Sequence, residues 1–187
     1  LTLDALLKNP QRWLALPDSC SLVLQKQHSD NLGFTHYRYQ QFYADIPIEG
    51  FEYLLHEKEG KIVMGNGTLW QETLTINRQP SMHEAQALQH ALQHIGAQQY
   101  AWEVPAYEKN LQEIEGESAS FCPSGELVIV GDKLAQNEPS ESYALAYKFD
   151  IYALHPMERK HVYVNAHTGA IVQSIPLIAS AAEPCTG

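Results

Sequence analysis

One stretch organises the first half of the sequence: Gly33-Phe34-Thr35-His36-Tyr37-Arg38-Tyr39-Gln40-Gln41-Phe42-Tyr43, followed closely by Ile46-Pro47-Ile48-Glu49-Gly50. Its aromatic and β-branched side chains favour extended backbone, so the pattern predicts a β-strand over residues 34–43. Proline has no backbone N–H to give to a sheet. We therefore expect Pro47 to interrupt the pattern and a further strand to occupy residues 50–56.

The residues on both sides of this stretch predict an antiparallel meander. Leu22 and Leu24 alternate with other residues, which indicates a strand over residues 21–28. Glu57-Lys58-Glu59-Gly60 has the composition of a hairpin turn, and Asn66-Gly67 that of another turn. We therefore expect strands over residues 61–65 and 73–76 and, before the meander, a short helix that contains Leu3, Leu6 and Leu7.

The second half of the sequence mixes helical and strand patterns. A helix is predicted over residues 82–95, where Ser81-Met82-His83-Glu84 has the form of a capping box and Gly96 supplies a C-terminal stop. Its apolar stripe contains Leu88 and Leu92. The remaining predicted elements are a helix over residues 107–114, a polar loop over residues 132–141, and strands over residues 126–130, 143–153, 161–166 and 170–174.

These elements predict an α+β fold of two small modules, each an antiparallel sheet with a packed helix. We place the first module, with the N-terminal helix, at residues 1–78 and the second at residues 79–178. Residues 179–187 are mostly small and weakly patterned, which predicts a C-terminal tail without a core of its own.

Composition excludes several classes of function. The chain has 187 residues, with 12 Lys and Arg against 22 Asp and Glu, so its formal net charge is −10. A basic patch that would neutralise phosphates is lacking, which argues against a nucleic-acid partner. No run approaches the roughly 20 apolar residues of a membrane-spanning helix. The chain starts at Leu1 without a signal segment, and we expect such a segment to have been removed or omitted.

A search for catalytic and metal-binding patterns predicts no enzyme. The zinc-protease helix needs H-E-x-x-H, but His83-Glu84 is followed by Ala87 where the second histidine is required. His90 and His94 have a helical spacing that chelates metals, yet no acidic or cysteine ligand completes a set. We favour a solvated polar face for these two histidines, with a metal site as the alternative, and we expect no cofactor.

The chain contains three cysteines, Cys20, Cys122 and Cys185, and none of them stands in a C-x-x-C spacing. Small, incidental thiols are the favoured interpretation, and a Cys20–Cys122 disulfide stays open because spacing alone does not give the geometry.

The first motif closely resembles the fungalysin/thermolysin propeptide (FTP) motif. In that family a strand of the form G-x-x-H-x-R-Y-Q-Q-x-Y precedes an I-P-V-x-G turn and a hairpin, and His56 to Gly67 resembles the hairpin. Ile48 replaces the common valine, which is a conservative departure. The matching residues are Gly33, His36, Arg38, Tyr39, Gln40, Gln41, Tyr43, Pro47 and Gly50.

The second half resembles the PepSY module that follows FTP in precursors of thermolysin-like zinc proteases. Val162-Tyr163-Val164-Asn165-Ala166-His167-Thr168-Gly169-Ala170-Ile171-Val172 is similar to the pattern V-Y-V-D-A-x-T-G-x-I-V, with Asn165 in place of the usual aspartate. The motif residues on this side are Tyr163, Asn165, Thr168 and Gly169. Together the two resemblances cover about residues 20 to 175.

The resemblance implies the pro-region of a secreted or periplasmic bacterial metalloprotease, with the catalytic domain of that protease as its partner. Such pro-regions act as intramolecular chaperones and as inhibitors until they are cleaved off. The H-E-x-x-H domain would follow Gly187, and we expect cleavage within or near the tail Ala182-Glu183-Pro184-Cys185-Thr186-Gly187. A zinc-directed role for the Cys185 thiol is the less favoured alternative to an incidental thiol.

Two other functions stay open. One is a stand-alone secreted or periplasmic binding module with the same two folds, and the other is an independent enzyme with a histidine-bound metal. Within the FTP motif we favour a structural role over direct contact with a protease. Arg38 would then pair with Glu49 or Glu52, the tyrosines would cover a sheet face, and Phe34 and Phe42 would be core residues.

Overall fold

The computed structural model describes residues 1–72, 74–131 and 143–178. These residues form two compact units. Unit 1 contains Leu1–Ile76 together with Val128–Val130, and unit 2 contains the other described residues from Asn77 onward. Nothing in the sequence indicated that residues 128–130 belong with the first unit.

Unit 1 is a meander of four antiparallel strands preceded by two short helices. The helices are α1 (Leu3–Lys8) and α2 (Pro10–Leu14), and the strands are β1 (Cys20–Ser29), β2 (Phe34–Tyr43), β3 (Ile46–Lys58) and β4 (Lys61–Gly67). β1 pairs with β2, β2 with β3, and β3 with β4. A parallel contact joins Ile48 of β3 to Ile129 of the strand β6 (Glu126–Gly131).

The core of unit 1 lies between the N-terminal helices and the sheet. Leu6, Tyr37, Tyr39 and Leu55 are buried together, and partly buried residues complete the cluster: Leu3, Leu14, Leu22, Tyr53 and Ile62. Burial of these side chains removes apolar area from water, which stabilises the folded state by about 25 cal/mol for each Å² buried.

The prediction that Phe34 and Phe42 would be the core residues of β2 is wrong, because both are only half-buried. Successive residues alternate across a sheet, and the tyrosines occupy its inner face.

Two turn predictions and one strand prediction for unit 1 are wrong. The chain reverses between β2 and β3 at Ala44 and Asp45, which have φ angles of 43° and 74°. Pro47 lies inside β3, opposite Phe42, and does not precede that strand. Asn66-Gly67 belongs to β4, and the predicted strand over residues 73–76 is absent at residues 74–76, while Thr73 lies outside the described residues.

Unit 2 combines an antiparallel sheet with two main helices. Its elements are α3 (Glu84–Ile95), β5 (Gln99–Tyr100), a 3-10 turn (Ala101–Glu103), α4 (Pro105–Glu115), β7 (Tyr143–His155), β8 (Met157–Asn165) and β9 (Ile171–Pro176). β7 pairs with β8, β8 pairs with β9, and the short β5 pairs with the end of β7. α3 packs on β7 and β8 through Ala87 and Ala91, which are fully buried.

The predicted start of α3 is wrong. The helix begins at Glu84 with His83 as its N-cap residue, and the backbone N–H of His83 donates to the Gln86 side chain at 3.3 Å. Ser81 and Glu84 do not form the predicted capping box because both side chains have distant partners. The Ser81 hydroxyl bonds the His167 ring at 3.0 Å, and the Glu84 carboxylate accepts from the Gly125 N–H at 2.6 Å.

The α+β fold class, with two small modules that each carry sheet and helix, is confirmed. Among the described residues, the parallel contact of β6 is an addition to the predicted antiparallel pairing. Within the described part of the chain, none of the helices has the length and apolar character that a membrane crossing requires. The predicted polar loop over residues 132–141 and the tail over residues 179–187 lie outside the described residues.

Candidate functional site

The FTP-motif residues lie on β2, on the turn before it and on the first half of β3. Gln40 connects the two strands where the register of their pairing shifts, between Gln40 and Phe42. Its side-chain N–H groups donate to the carbonyl oxygens of Ile48 at 2.6 Å and Phe51 at 3.1 Å. Gly50 lies between these two residues with φ of 81°, a conformation that suits glycine. The amide of Gln40 therefore holds the bend of β3.

Gln41 is the one buried polar side chain recorded among the described residues. Its amide nitrogen donates to the Trp70 carbonyl oxygen at 2.8 Å, and its amide oxygen accepts from the Trp70 N–H at 2.7 Å. Two residues along β2, the Tyr43 hydroxyl donates to the Leu74 carbonyl oxygen at 3.0 Å. These bonds fix the segment after β4 against β2.

Arg38 and the tyrosines of β2 show the two faces of the strand. Arg38 bonds the Glu52 carboxylate at 2.5 Å, which is one of the two pairings expected for it. Both side chains are near half exposure, so the pair contributes at most about 1 kcal/mol. On the other face, burial raises the pKa of the Tyr37 and Tyr39 hydroxyls.

Asp30 organises the turn that precedes β2. One carboxylate oxygen accepts from the backbone N–H groups of Leu32 at 2.8 Å and Phe34 at 3.0 Å. The other lies 3.1 Å from Nε2 of His36. The Phe34 N–H, with the contribution of His36, holds the pKa of Asp30 below its usual value. Gly33, with φ of 79°, completes the turn.

His36 is also linked to β3 and through it to β4. Its Nδ1 lies 2.6 Å from Nδ1 of His56, and Nε2 of His56 lies 2.8 Å from Oδ1 of Asn66. A continuous chain of polar contacts therefore runs from Asp30 through both imidazoles to Asn66. Sequence reasoning identified His36 as a motif residue but did not connect it with the other members, because they come together only through the pairing register of three strands.

Three of the predicted PepSY-motif residues, Asn165, Thr168 and Gly169, lie at the turn between β8 and β9. Oδ1 of Asn165 accepts from the N–H groups of His167 at 2.9 Å and Thr168 at 3.0 Å. A carboxylate oxygen at this position would accept the same two bonds. Gly169 has φ of 75° and lies against α3: an added Cβ would come within 2.9 Å of the His90 ring. Tyr163 is buried in the sheet.

His167 fastens this turn to the residues before α3. Its Nδ1 contacts the Ser81 hydroxyl at 3.0 Å, and its Nε2 lies 3.1 Å from the Asn77 carbonyl oxygen. The carbonyl of Ala166 accepts the backbone N–H groups of Ser81 and Met82. The motif therefore locates the start of α3, a role that its local pattern did not reveal.

The other predicted residues are not brought into a site. His90 and His94 are exposed on α3, and no group of three or more metal-ligating side chains converges within residues 1–72, 74–131 and 143–178. Cys20 is buried and Cys122 exposed, and both are free thiols, so the Cys20–Cys122 disulfide is not formed. The tail residues Ala182 to Gly187, including Cys185, lie outside the described residues.

Each unit also contains a concave surface. In unit 2 a cavity of about 220 Å³ contains the two-pronged bond of Arg159 to Asp150, with N–O distances of 2.9 and 2.8 Å. In unit 1 a more open groove of about 500 Å³ is lined by Trp13, Tyr53 and Leu69 among others. Neither contains an arrangement of nucleophile, base and oxyanion donors.

Comparison with solved structures finds similarity to the Bacillus megaterium YpeB C-terminal domain, with a TM-score of 0.43 and 12% sequence identity. The similarity covers 96% of this chain and 66% of that chain, slightly less than two thirds of its length. Comparison with protein families matches residues 21–69 to the Fungalysin/Thermolysin Propeptide Motif. These residues span β1 to β4 and the start of the segment that Gln41 holds. Residues 21–69 therefore carry an FTP propeptide motif.

Proposed function

We propose that this chain is the pro-region of a thermolysin-like metalloprotease and that it acts as an intramolecular chaperone and inhibitor of the catalytic domain. The observation that carries the proposal is the FTP motif over residues 21–69. The PepSY resemblance of the second half, which names the module that follows FTP in such precursors, supports the same function. The chain itself is then not an enzyme.

The construction of unit 1 supports a templating role. The motif side chains of Gln40, Gln41 and Tyr43 are occupied with backbone groups of the same unit, so they make the sheet rigid and do not offer free chemistry. A rigid surface loses little conformational entropy when it binds a partner. Such a surface suits a chaperone that must present one arrangement to a folding domain.

The chaperone activity would act on a folding barrier. A large protease domain dominated by contacts between distant residues folds slowly and exposes apolar surface on the way. A preformed template accelerates folding when it binds the folding transition state more tightly than the unfolded chain. The rate of refolding of the denatured protease, with and without this chain, measures that difference directly.

Inhibition requires a segment that crosses the catalytic cleft. The proposed segment is the tail from Ala179 to Gly187, whose small residues fit an extended peptide and whose position precedes the expected catalytic domain. After cleavage the tail would remain in the cleft as a bound product. A thiolate of Cys185 on the zinc ion is the less favoured version of the same idea.

The decisive experiment titrates the cognate mature protease with three forms of the chain. These are the full chain, a form without residues 179–187, and a Cys185→Ser variant. We expect inhibition by the full chain, a loss of at least about tenfold in affinity without the tail, which is about 1.4 kcal/mol, and no change for Cys185→Ser. Unchanged inhibition without the tail would reject the tail as the inhibitory segment.

Failure of the full chain both to inhibit and to accelerate refolding would reject the pro-region function. The alternative is then a stand-alone binding module for a separate protease or another ligand. The reading frame after Gly187 distinguishes the two, because only a precursor continues into a domain with H-E-x-x-H.

A further inference from the structure

Four side chains from four adjacent strands form a row on one face of the unit 1 sheet. His28 of β1 is opposite His36 of β2, His36 is opposite His56 of β3, and His56 is opposite Met64 of β4. Directly opposite residues of antiparallel strands lie on the same face, with Cβ atoms about 4.5–5.5 Å apart. Imidazole and thioether groups are ligands for the later transition metals. The chain's net charge of −10 also favours cations over anions as its ligands.

The two central imidazoles, those of His36 and His56, face each other through their Nδ1 atoms. Nδ1 of His36 lies 2.6 Å from Nδ1 of His56, and the ring planes are inclined at 78°. The outer nitrogen of each ring contacts an oxygen: Nε2 of His36 contacts Asp30, and Nε2 of His56 contacts Oδ1 of Asn66. The Asp30 carboxylate only accepts hydrogen bonds, so Nε2 of His36 carries the proton of its ring.

This assignment leaves the lone pair of Nδ1 of His36 directed at the His56 ring, where it takes part in the contact between the two Nδ1 atoms. A metal ion that replaces the hydrogen between these two atoms takes one lone pair from each ring. His56 then carries its proton on Nε2, where Oδ1 of Asn66 accepts it. Histidines whose outer N–H is bonded to a carboxylate or a carbonyl-type oxygen are in the orientation that metal-ligating histidines have in proteins.

We propose that His36 and His56 form a cross-strand binding site for a divalent transition-metal cation, ligated through Nδ1 of both rings, with Asp30 and Asn66 as the residues that orient them. Bonds of about 2.0–2.1 Å at a tetrahedral angle place two nitrogens roughly 3.3 Å apart, so the two rings separate by less than about 1 Å when the metal replaces the proton. The His36 side chain is 21% exposed, which leaves an open side to the site.

The protein supplies two ligands to the metal, and this number limits the affinity of the site. No set of three or more His, Cys, Asp and Glu side chains converges anywhere in the described parts of the chain, so water or an outside ligand completes the coordination. Since the two rings stand on different strands, the cation binds the folded form and ties β2 to β3, which stabilises unit 1 by mass action. The inference goes beyond the proposed pro-region function and does not rest on it.

The experiment uses the full chain in a Cys122→Ser, Cys185→Ser background, which removes the exposed thiol and the thiol of the tail as competing zinc ligands. Zn²⁺ alone is the probe, titrated by calorimetry and followed by the ¹⁵N resonances of the histidine rings. His56→Gln removes one ligand of the site. His94→Gln is the matched control, because it removes the same type of side chain from the helical His90–His94 pair.

We expect zinc binding to saturate at one equivalent per chain, and the Nδ1 resonances of His36 and His56 to shift as it does. His56→Gln should bind at least about tenfold more weakly, whereas His94→Gln should bind as the background does. The resonance measurement uses the chain with both histidines in place. It therefore tests the site even if the His56→Gln variant does not fold. The proposal is overturned by absence of saturable binding at millimolar zinc, by unchanged affinity of a folded His56→Gln variant, or by a response confined to His90 and His94.

Discussion

The Gln41 side chain and the Trp70 backbone bind each other through two hydrogen bonds, in the same way that two peptide groups pair in a sheet. Gln41 is completely buried, and its amide matches the N–H and C=O of Trp70 at 2.7 and 2.8 Å. One side chain of β2 thus makes with the Trp70 backbone the pair of bonds that a neighbouring strand would make. We regard this pair as the clearest example of how the FTP motif holds unit 1 together.

Replacement of Gln41 should therefore destabilise unit 1 strongly. Gln41→Ala removes both of these hydrogen bonds to the Trp70 backbone and leaves a cavity, and we expect a loss of about 2–4 kcal/mol in the free energy of unfolding. Gln27→Ala, on the exposed β1, is the matched control and should stay within about 0.5 kcal/mol. Urea denaturation followed by circular dichroism measures both. Equal stabilities of the two variants would show that the buried pair is not important.

Two glycines of the FTP region should respond very differently to alanine. Gly67 has φ of 139°, and an added Cβ would lie 2.2 Å from the backbone oxygen of Glu52, which has no freedom to move aside. Gly50 has φ of 81°, but nothing lies within 4 Å of its added Cβ. We expect a loss of about 3 kcal/mol or more for Gly67→Ala and about 1–2 kcal/mol for Gly50→Ala. Urea midpoints in the reverse order would contradict the geometry.

The sequence was sufficient for elements whose signals are local. The aromatic stretch predicts β2 with the bounds that it has in the structure, and Gly96 ends α3 as expected. The start of α3 was predicted wrongly although the local signal was good. Ser81 and Glu84 have the right spacing for a capping box, but His167 and Gly125 supply competing partners that a local pattern does not contain.

The contacts of Gln41 with Trp70 and of His36 with His56 were not predictable for the same reason, because a local pattern does not contain the distant partner. Gln41 and Trp70 are 29 residues apart, and the pairing of His36 with His56 depends on the exact register of β2 and β3. A shift of one residue would turn one of these histidines to the other face of the sheet. The parallel contact of Ile48 with Ile129 lies still further apart in sequence and carries no composition signal.

The variant Asn165→Asp tests the second motif, because it restores the aspartate that the resemblance to PepSY predicts at this position. The Asn165 oxygen accepts two backbone N–H groups, and a carboxylate in Asn165→Asp would accept the same two. We expect Asn165→Asp to retain full stability at neutral pH and Asn165→Ala to lose about 1–3 kcal/mol. Thermal unfolding of the three proteins side by side measures the difference. If Asn165→Ala unfolded at the same temperature as the parent chain, the turn would not depend on this side chain.

The two described cysteines should differ sharply in reactivity. Cys20 is buried, and its burial raises the pKa of the thiol, so less of the reactive thiolate is present at any given pH. Cys122 is exposed in the chain between α4 and β6. In a Cys185→Ser background we expect iodoacetamide to modify Cys122 in the folded protein, and Cys20 only after urea unfolds unit 1. Peptide mass spectrometry of timed samples assigns each modification to its cysteine. Equal rates at both thiols in the folded protein, or a disulfide-linked peptide that contains both, would contradict the burial of Cys20 and the absence of a bond between the two.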